Sequence, residues 1–333
     1  MISDKVEMRE LITLGGGGVL LRGTHHKVAG RVTNEAGDSD KRVGVLFLNP
    51  LSSPRSLIGD SAVYWATSFA ARGYPAFRID LPGLGDSYGA LPNDLLTFIN
   101  EGGYAAITAS KIMELVQRFG LSGIVIYGHC AGATTAIYAA SECKECKGLV
   151  VTDPYFYAAN LLTPKVRPEL VDWVRRSKVG EILRAIYARL REAPKKVRSG
   201  ALPPNANVAL VSGWKKVLSN GLPILVLKSP RPTALGSSKL RSGSFDYLAH
   251  VTSFAVRSNQ ITTRTIEKTD HSFANQLGRA AVRGYTETWL REYFPVAETE
   301  TTSQVQMQEL QSIEINPVTL GTPVGACVSR RIG

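Results

Sequence analysis

The chain is predicted to be an α/β protein: a mostly parallel sheet with helices on both faces and an inserted helical cap. Three observations carry this expectation. Short apolar, β-branched runs alternate with helical stretches from residue 43 to 295, the pattern of strands buried on both faces and joined by crossover helices. The pentapeptide Gly128-His129-Cys130-Ala131-Gly132 ends one such strand and opens a helix of small residues. The alternation then stops, and helical stripes replace it over residues 158–219.

The elements follow in order. Val6–Ile12 and Val19–Val28 read as strands joined through Gly15 to Gly18. Those glycines link strand to strand, so they suit a hairpin rather than a phosphate cradle, which would open a helix. Val43–Leu48 is a continuous apolar strand. A loop, Asn49-Pro50-Leu51-Ser52-Ser53-Pro54, leads to a helix over Ser61–Arg72 that Gly73 stops. Tyr74–Asp80 is the next strand, followed by the turn Leu81-Pro82-Gly83-Leu84-Gly85-Asp86-Ser87. Ile107–Phe119 is a helix with Ile112, Leu115, Val116 and Phe119 on one side. Gly123–Tyr127, Gly148–Pro154, Leu222–Leu227 and Ile261–Ile266 are further strands, and Gln276–Tyr293 is a closing helix. Residues 1–157 and 220–296 thus form the core. Residues 158–219 form the cap, with one stripe through Leu170, Val171, Trp173 and Val174 and another through Ile182, Ile186, Tyr187 and Leu190. Residues 297–333 are polar and lack helical periodicity, which predicts a weakly ordered tail.

Composition narrows the function. Of 333 residues, 44% are hydrophobic and 20% charged, an ordinary globular balance. No apolar run approaches the roughly 18 residues of a membrane span, and the first residues lack a secretion-signal core. Four cysteines in so long a chain argue against a disulfide framework and for a reducing, cytoplasmic setting. The net charge is +11. No nucleic-acid module accompanies it, so nucleic acid is not expected as a partner. Between Pro164 and Ser199 there are eleven basic and four acidic side chains, which is +7 of that excess. A solvated helix face accounts for this. So does a dock, with Arg175, Arg176 and Lys178 at its centre, for an acidic carrier protein or the phosphates of a CoA-like thioester.

The pentapeptide has the form glycine-x-nucleophile-x-glycine. A strand–turn–helix of this kind lifts its central side chain above the sheet edge and sets it at a helix N-terminus, which favours a thiolate at Cys130. A thiol nucleophile needs a base. Of five histidines, only His271 directly follows a late strand, in Thr269-Asp270-His271-Ser272-Phe273. His25 and His26 read as surface or edge residues, His129 as pointing away from the nucleophile, and His250 as a packing or surface residue of a helix. Cys143-Lys144-Glu145-Cys146 has C-x-x-C spacing but no further ligands at metal-binding spacing, and reads as an exposed helix end. No metal and no cofactor are expected.

Over about residues 5–295 the chain resembles the α/β-hydrolase superfamily. The elbow, the Asp80–Ser87 turn after a strand, and Asp270-His271-Ser272-Phe273 carry the likeness. A cysteine at the elbow is similar to dienelactone hydrolases and to bacterial hydrolases encoded near exosortase systems. The resemblance implies the α/β-hydrolase fold, Cys130 as nucleophile and His271 as general base. It also implies an acid just beyond the strand Ile224–Leu227, but Lys228-Ser229-Pro230-Arg231-Pro232 offers none. Asp246, 25 residues before His271, is the first candidate and Asp153 the second; a Cys–His pair without an acid is the third option. The oxyanion hole is expected to combine the Ala131 N–H with one from the loop after Leu48. Pro50 has no N–H, so Leu51 is preferred and Ser52 comes next. The expected activity is hydrolysis of an ester or thioester, with a small-molecule acyl substrate, free or bound to CoA or a carrier protein. Acyl transfer from the same Cys130 intermediate to an amine, alcohol or thiol is an alternative. A non-catalytic ligand-binding protein on this fold is another.

Overall fold

The structure, a computed structural model, describes residues 8–15, 19–28, 42–157, 202–203, 205–230, 246–257 and 259–296. Most of the expected cap (158–201, with Arg175, Arg176 and Lys178) and the whole tail (297–333) lie outside the described residues.

Eight strands form one sheet: β1 (Arg9–Leu14), β2 (Leu21–His26), β3 (Val43–Leu48), β4 (Ala76–Ile79), β5 (Gly123–His129), β6 (Cys146–Thr152), β7 (Ile224–Lys228) and β8 (Ile261–Thr265), in the order β1-β2-β4-β3-β5-β6-β7-β8. β1 and β2 pair antiparallel with each other, and β2 antiparallel with β4. From β4 through β8 every pairing is parallel. The described helices are α1 (Ser61–Ala71), α2 (Leu95–Asn100), α3 (Ala105–Phe119), α4 (Ala131–Glu142), α5 (Val208–Ser219), α6 (Tyr247–Thr252) and α7 (Gln276–Tyr293).

The continuous apolar runs in β3 and β5 arise because both sheet faces are covered. Side chains alternate between faces along a strand. Val43, Val45 and Phe47 of β3 join Val125 and Tyr127 of β5 under Trp65 and Phe69 of α1 and Val282, Trp289 and Leu290 of α7. Leu46, Leu48, Ile124 and Ile126 point the other way, toward α3, α4 and α5. α4 is rich in alanine because it is enclosed: Ala133, Ala136, Ala139 and Ala140 are all fully buried. The Trp65 indole donates to Arg279 O at 2.9 Å and ties α1 to α7 across one face.

Several elements depart from the sequence expectations. Residues 208–219, counted with the cap, are helix α5. It starts on an Asn207 side-chain cap and packs Leu210, Trp214 and Val217 into the core beside α4, as a crossover helix between β6 and β7. His25 and His26 are not edge residues, since β2 is paired on both sides. Both are buried; His25 stacks on Phe77 and binds Glu10, and His26 accepts from Arg78 Nε at 2.9 Å. Cys143 and Cys146 are buried rather than exposed, because the chain turns directly from α4 into β6.

Candidate active site

The residues singled out in the sequence converge at the C-terminal ends of the parallel strands, where sheets of this kind place ligands. Cys130 sits between β5 and α4 with φ +52° and ψ −117°, a strained conformation for a residue with a side chain. Its N–H is held by Thr152 O at 3.0 Å. The flanking glycines are required sterically. A Cβ on Gly128 would come within 2.6 Å of Gly132 O and 2.7 Å of Ala133 Cα, and one on Gly132 within 2.9 Å of Asn49 O. The elbow can therefore close only with glycine at both places.

His271 follows β8. Its Nδ1–H donates to Asp153 Oδ2 at 2.8 Å. A carboxylate only accepts, so this bond fixes the proton on Nδ1 and leaves Nε2 as the basic nitrogen of the neutral ring. Nε2 is buried, and its one polar neighbour among the described residues is Cys130, which favours the imidazolium. Burial alone would lower the His271 pKa. The Asp153 bond and Cys130 outweigh it and bring the value up to about 9.

Asp153 directly follows β6, with φ +44° and a side chain wholly out of solvent. Besides His271 it accepts from the Ser229 N–H at 2.8 Å and the Ser229 hydroxyl at 2.6 Å. Ser229 lies just past β7, where an acid was expected, and it braces the carboxylate of Asp153 from the neighbouring strand β6. Asp246 does not pair with His271. Its carboxylate accepts the Ala249 N–H at 3.0 Å as the N-cap of α6, at an exposed position. The first candidate for the acid is thus occupied in capping a helix, and the second is the one beside the imidazole.

Ala131 opens α4, and Leu51 lies on the loop after β3 with φ +44°. Among the described residues no acceptor takes the N–H of either. The loop is braced by polar groups the sequence reading passed over. The Asn49 amide donates to Ser53 O at 2.8 Å and to Asp80 Oδ1 at 3.0 Å, and its carbonyl accepts Leu81 N–H at 3.0 Å. Arg55 bridges the buried Asp80 and the exposed Asp86. Ser87 donates to Asp80 O. Asp86 and Ser87 therefore shape the turn.

His129 does not simply point away. Its ring centroid lies 4.7 Å from that of His271, and Nδ1 is 2.8 Å from Thr152 Oγ1. Burial, with the charge of His271 added, lowers its pKa to about 3, so it stays neutral. Its position inside the elbow is the only sequence signal that could have marked it. Among the described residues no group of three or more His, Cys, Asp or Glu is arranged to hold a metal ion, and no helix is long and apolar enough to cross a membrane.

A family model described as the alpha/beta hydrolase fold matches residues 57–178. Comparison with curated protein sequences gives no match. Among solved structures, DcsB in complex with its substrate analogue is similar with a TM-score of 0.54 at 16% identity, over 86% of this chain and 99% of its own. The esterase domain of a Rhodothermus marinus protein gives 0.51 at 17% identity, over 86% and 99%. A dienelactone hydrolase from Anabaena variabilis gives 0.51 at 13% identity, over 86% and 100%. At such identities the likeness is one of fold. Sheet, elbow and family model agree, and the chain has the α/β-hydrolase fold.

Proposed function

We propose that the chain hydrolyses an ester or thioester through an acyl-enzyme on Cys130, with His271 as base and Asp153 as the acid that orients it. The observation that carries this is the bond from His271 Nδ1 to the buried Asp153, which turns Nε2 toward proton transfer beside a cysteine in strained elbow geometry.

The Cys130 sulfur attacks the acyl carbonyl with its proton already held on His271 Nε2, where the raised pKa keeps it near neutral pH. The tetrahedral oxyanion accepts from the N–H groups of Ala131 and Leu51, helped by the positive end of α4. Collapse expels the alcohol or thiol, which takes the proton from His271. Water, deprotonated by the same Nε2, then attacks the Cys130 thioester, releases the acid and restores the thiol. Asp153 stays ionised throughout, keeping the ring in one tautomer and stabilising the imidazolium. The basic residues Arg175, Arg176 and Lys178 enter this reading as a capture surface for an anionic substrate or its carrier, supported by the +7 excess in their segment.

Iodoacetamide tests the nucleophile. Burial raises the Cys143 thiol pKa and pushes that of Cys146 up to about 12, so neither is reactive at neutral pH. Cys130 is expected to label before either, with loss of activity in step, and Cys130→Ala to be inactive. Activity that survives complete labelling of Cys130 overturns the reading.

A further inference from the structure

Beside Cys130 stand two hydroxyls that the acyl-transfer chemistry leaves unused. Tyr155 follows Asp153 by two residues and is 8% exposed; Thr134 lies one turn into α4 and is 1% exposed. The Tyr155 Oη and Thr134 Oγ1 are both buried and have no polar partner except each other. Tyr155 and Tyr157 both lie near enough to Cys130 to respond to charge on its sulfur. Tyr155 and Cys130 share the apolar cluster on this face of the sheet, with Tyr157 and Tyr247 packed against it. The Tyr155 and Tyr157 ring centroids are 5.5 Å apart, and those of Tyr157 and Tyr247 6.0 Å. The aromatic wall is held in place. Tyr157 bridges to Ala206, and the Tyr247 hydroxyl donates to Asn205 Oδ1 at 2.7 Å.

A buried hydroxyl without a partner costs free energy that phenylalanine or valine at the same place would not. A bond between the two uses one of their two protons, so beside a nucleophile the pair still leaves a donor and acceptor lone pairs for a ligand to meet. We propose that Tyr155 and Thr134 select the acyl group, their hydroxyls binding an oxygen or nitrogen carried on the acyl chain near the reacting carbonyl. The substrate class is then hydroxy-, oxo- or amide-bearing acyl esters and thioesters rather than plain alkyl ones. This rests on the Cys130 acyl-enzyme reading. Both hydroxyls donate and accept, so either kind of group fits. A site built to hydrogen-bond a substrate group discriminates strongly against the analogue that lacks it.

The test compares two near-isosteric probes, the 3-hydroxybutyryl and 3-methylbutyryl thioesters of N-acetylcysteamine, on the full chain. Thiol release gives kcat/KM, and mass spectrometry follows the adduct on Cys130. The native protein is expected to prefer the hydroxy probe by about tenfold or more. Tyr155→Phe, and separately Thr134→Val, should lower kcat/KM for the hydroxy probe alone and bring the two toward parity. Melting curves identify any variant that does not fold, and the other variant then carries the comparison. Equal losses on both probes, or no preference in the native protein while Cys130 is acylated, overturn this inference and leave the nucleophile reading intact. No adduct on Cys130 from either probe overturns both.

Discussion

Replacing Asp153 by asparagine separates the two candidate acids. The native carboxylate accepts three hydrogen bonds, from His271 Nδ1, Ser229 N and Ser229 Oγ. Asparagine fills the same volume but has one acceptor oxygen and an amide that donates. If the oxygen keeps Ser229, the amide faces His271 and drives the proton from Nδ1 to Nε2. The base is then blocked at the atom that serves Cys130. In a serine enzyme this tautomer error costs about 10⁴ in kcat. A thiol depends less on its base, so the expected loss is about 10²–10³, or ~2.7–4.1 kcal/mol of barrier. The lost charge-assisted bond should also cost about 1–3 kcal/mol of stability. Asp246→Ala is the paired control. It removes the bond to Ala249 N–H, an N-cap worth ~1 kcal/mol, and should leave kcat unchanged. The assay is thioester hydrolysis at saturating substrate, with thermal melts of both variants. If Asp246→Ala cripples turnover while a folded Asp153→Asn variant is silent, the assignment of Asp153 is refuted.

Two further outcomes follow from the same geometry. The His271 pKa rises from 6.5 to about 9 on folding. Because it is raised, its contribution to stability is complete below about pH 6.5 and is lost as pH climbs through 9; that shift corresponds to about 3 kcal/mol at most. Thermal melts should therefore fall between pH 6.5 and 9, and kcat/KM should decline above about pH 9 as the imidazolium is lost, a limb that Asp153→Asn moves to lower pH. A flat melting temperature across that window contradicts the pairing. Gly128→Ala places a methyl 2.6 Å from Gly132 O and 2.7 Å from Ala133 Cα. It should cost about 1–3 kcal/mol of stability as overpacking does, with activity falling further as the elbow opens; denaturant titration and an unchanged midpoint would show that the turn has room to spare.

The core strands, α1, α3, α4 and α7 were legible because periodicity reports burial, and here both faces of the sheet are covered. The elbow around Cys130 was legible because it needs small flanking residues for steric reasons that the sequence displays directly. The acid was not. Asp246 lies at a plausible distance along the chain from His271, but only tertiary structure shows that β6 carries Asp153 to the imidazole while Asp246 caps α6. His25 and His26 were misread because pairing on both sides of β2 is a long-range property. Residues 208–219 were grouped with the cap because no strand pattern separates them from the two stripes before them. His129 and Asn49 act through contacts across the sheet edge, which no local pattern encodes.

The most direct measurement of the central claim is intact-protein mass spectrometry of the enzyme quenched in acid during turnover of an acyl thioester, followed by peptide mapping. The account predicts a mass increase of one acyl group located on Cys130, absent from Cys130→Ala and longer-lived in Asp153→Asn. Turnover with no adduct at any quench time in that variant, or an acyl group mapped to another residue, would contradict it.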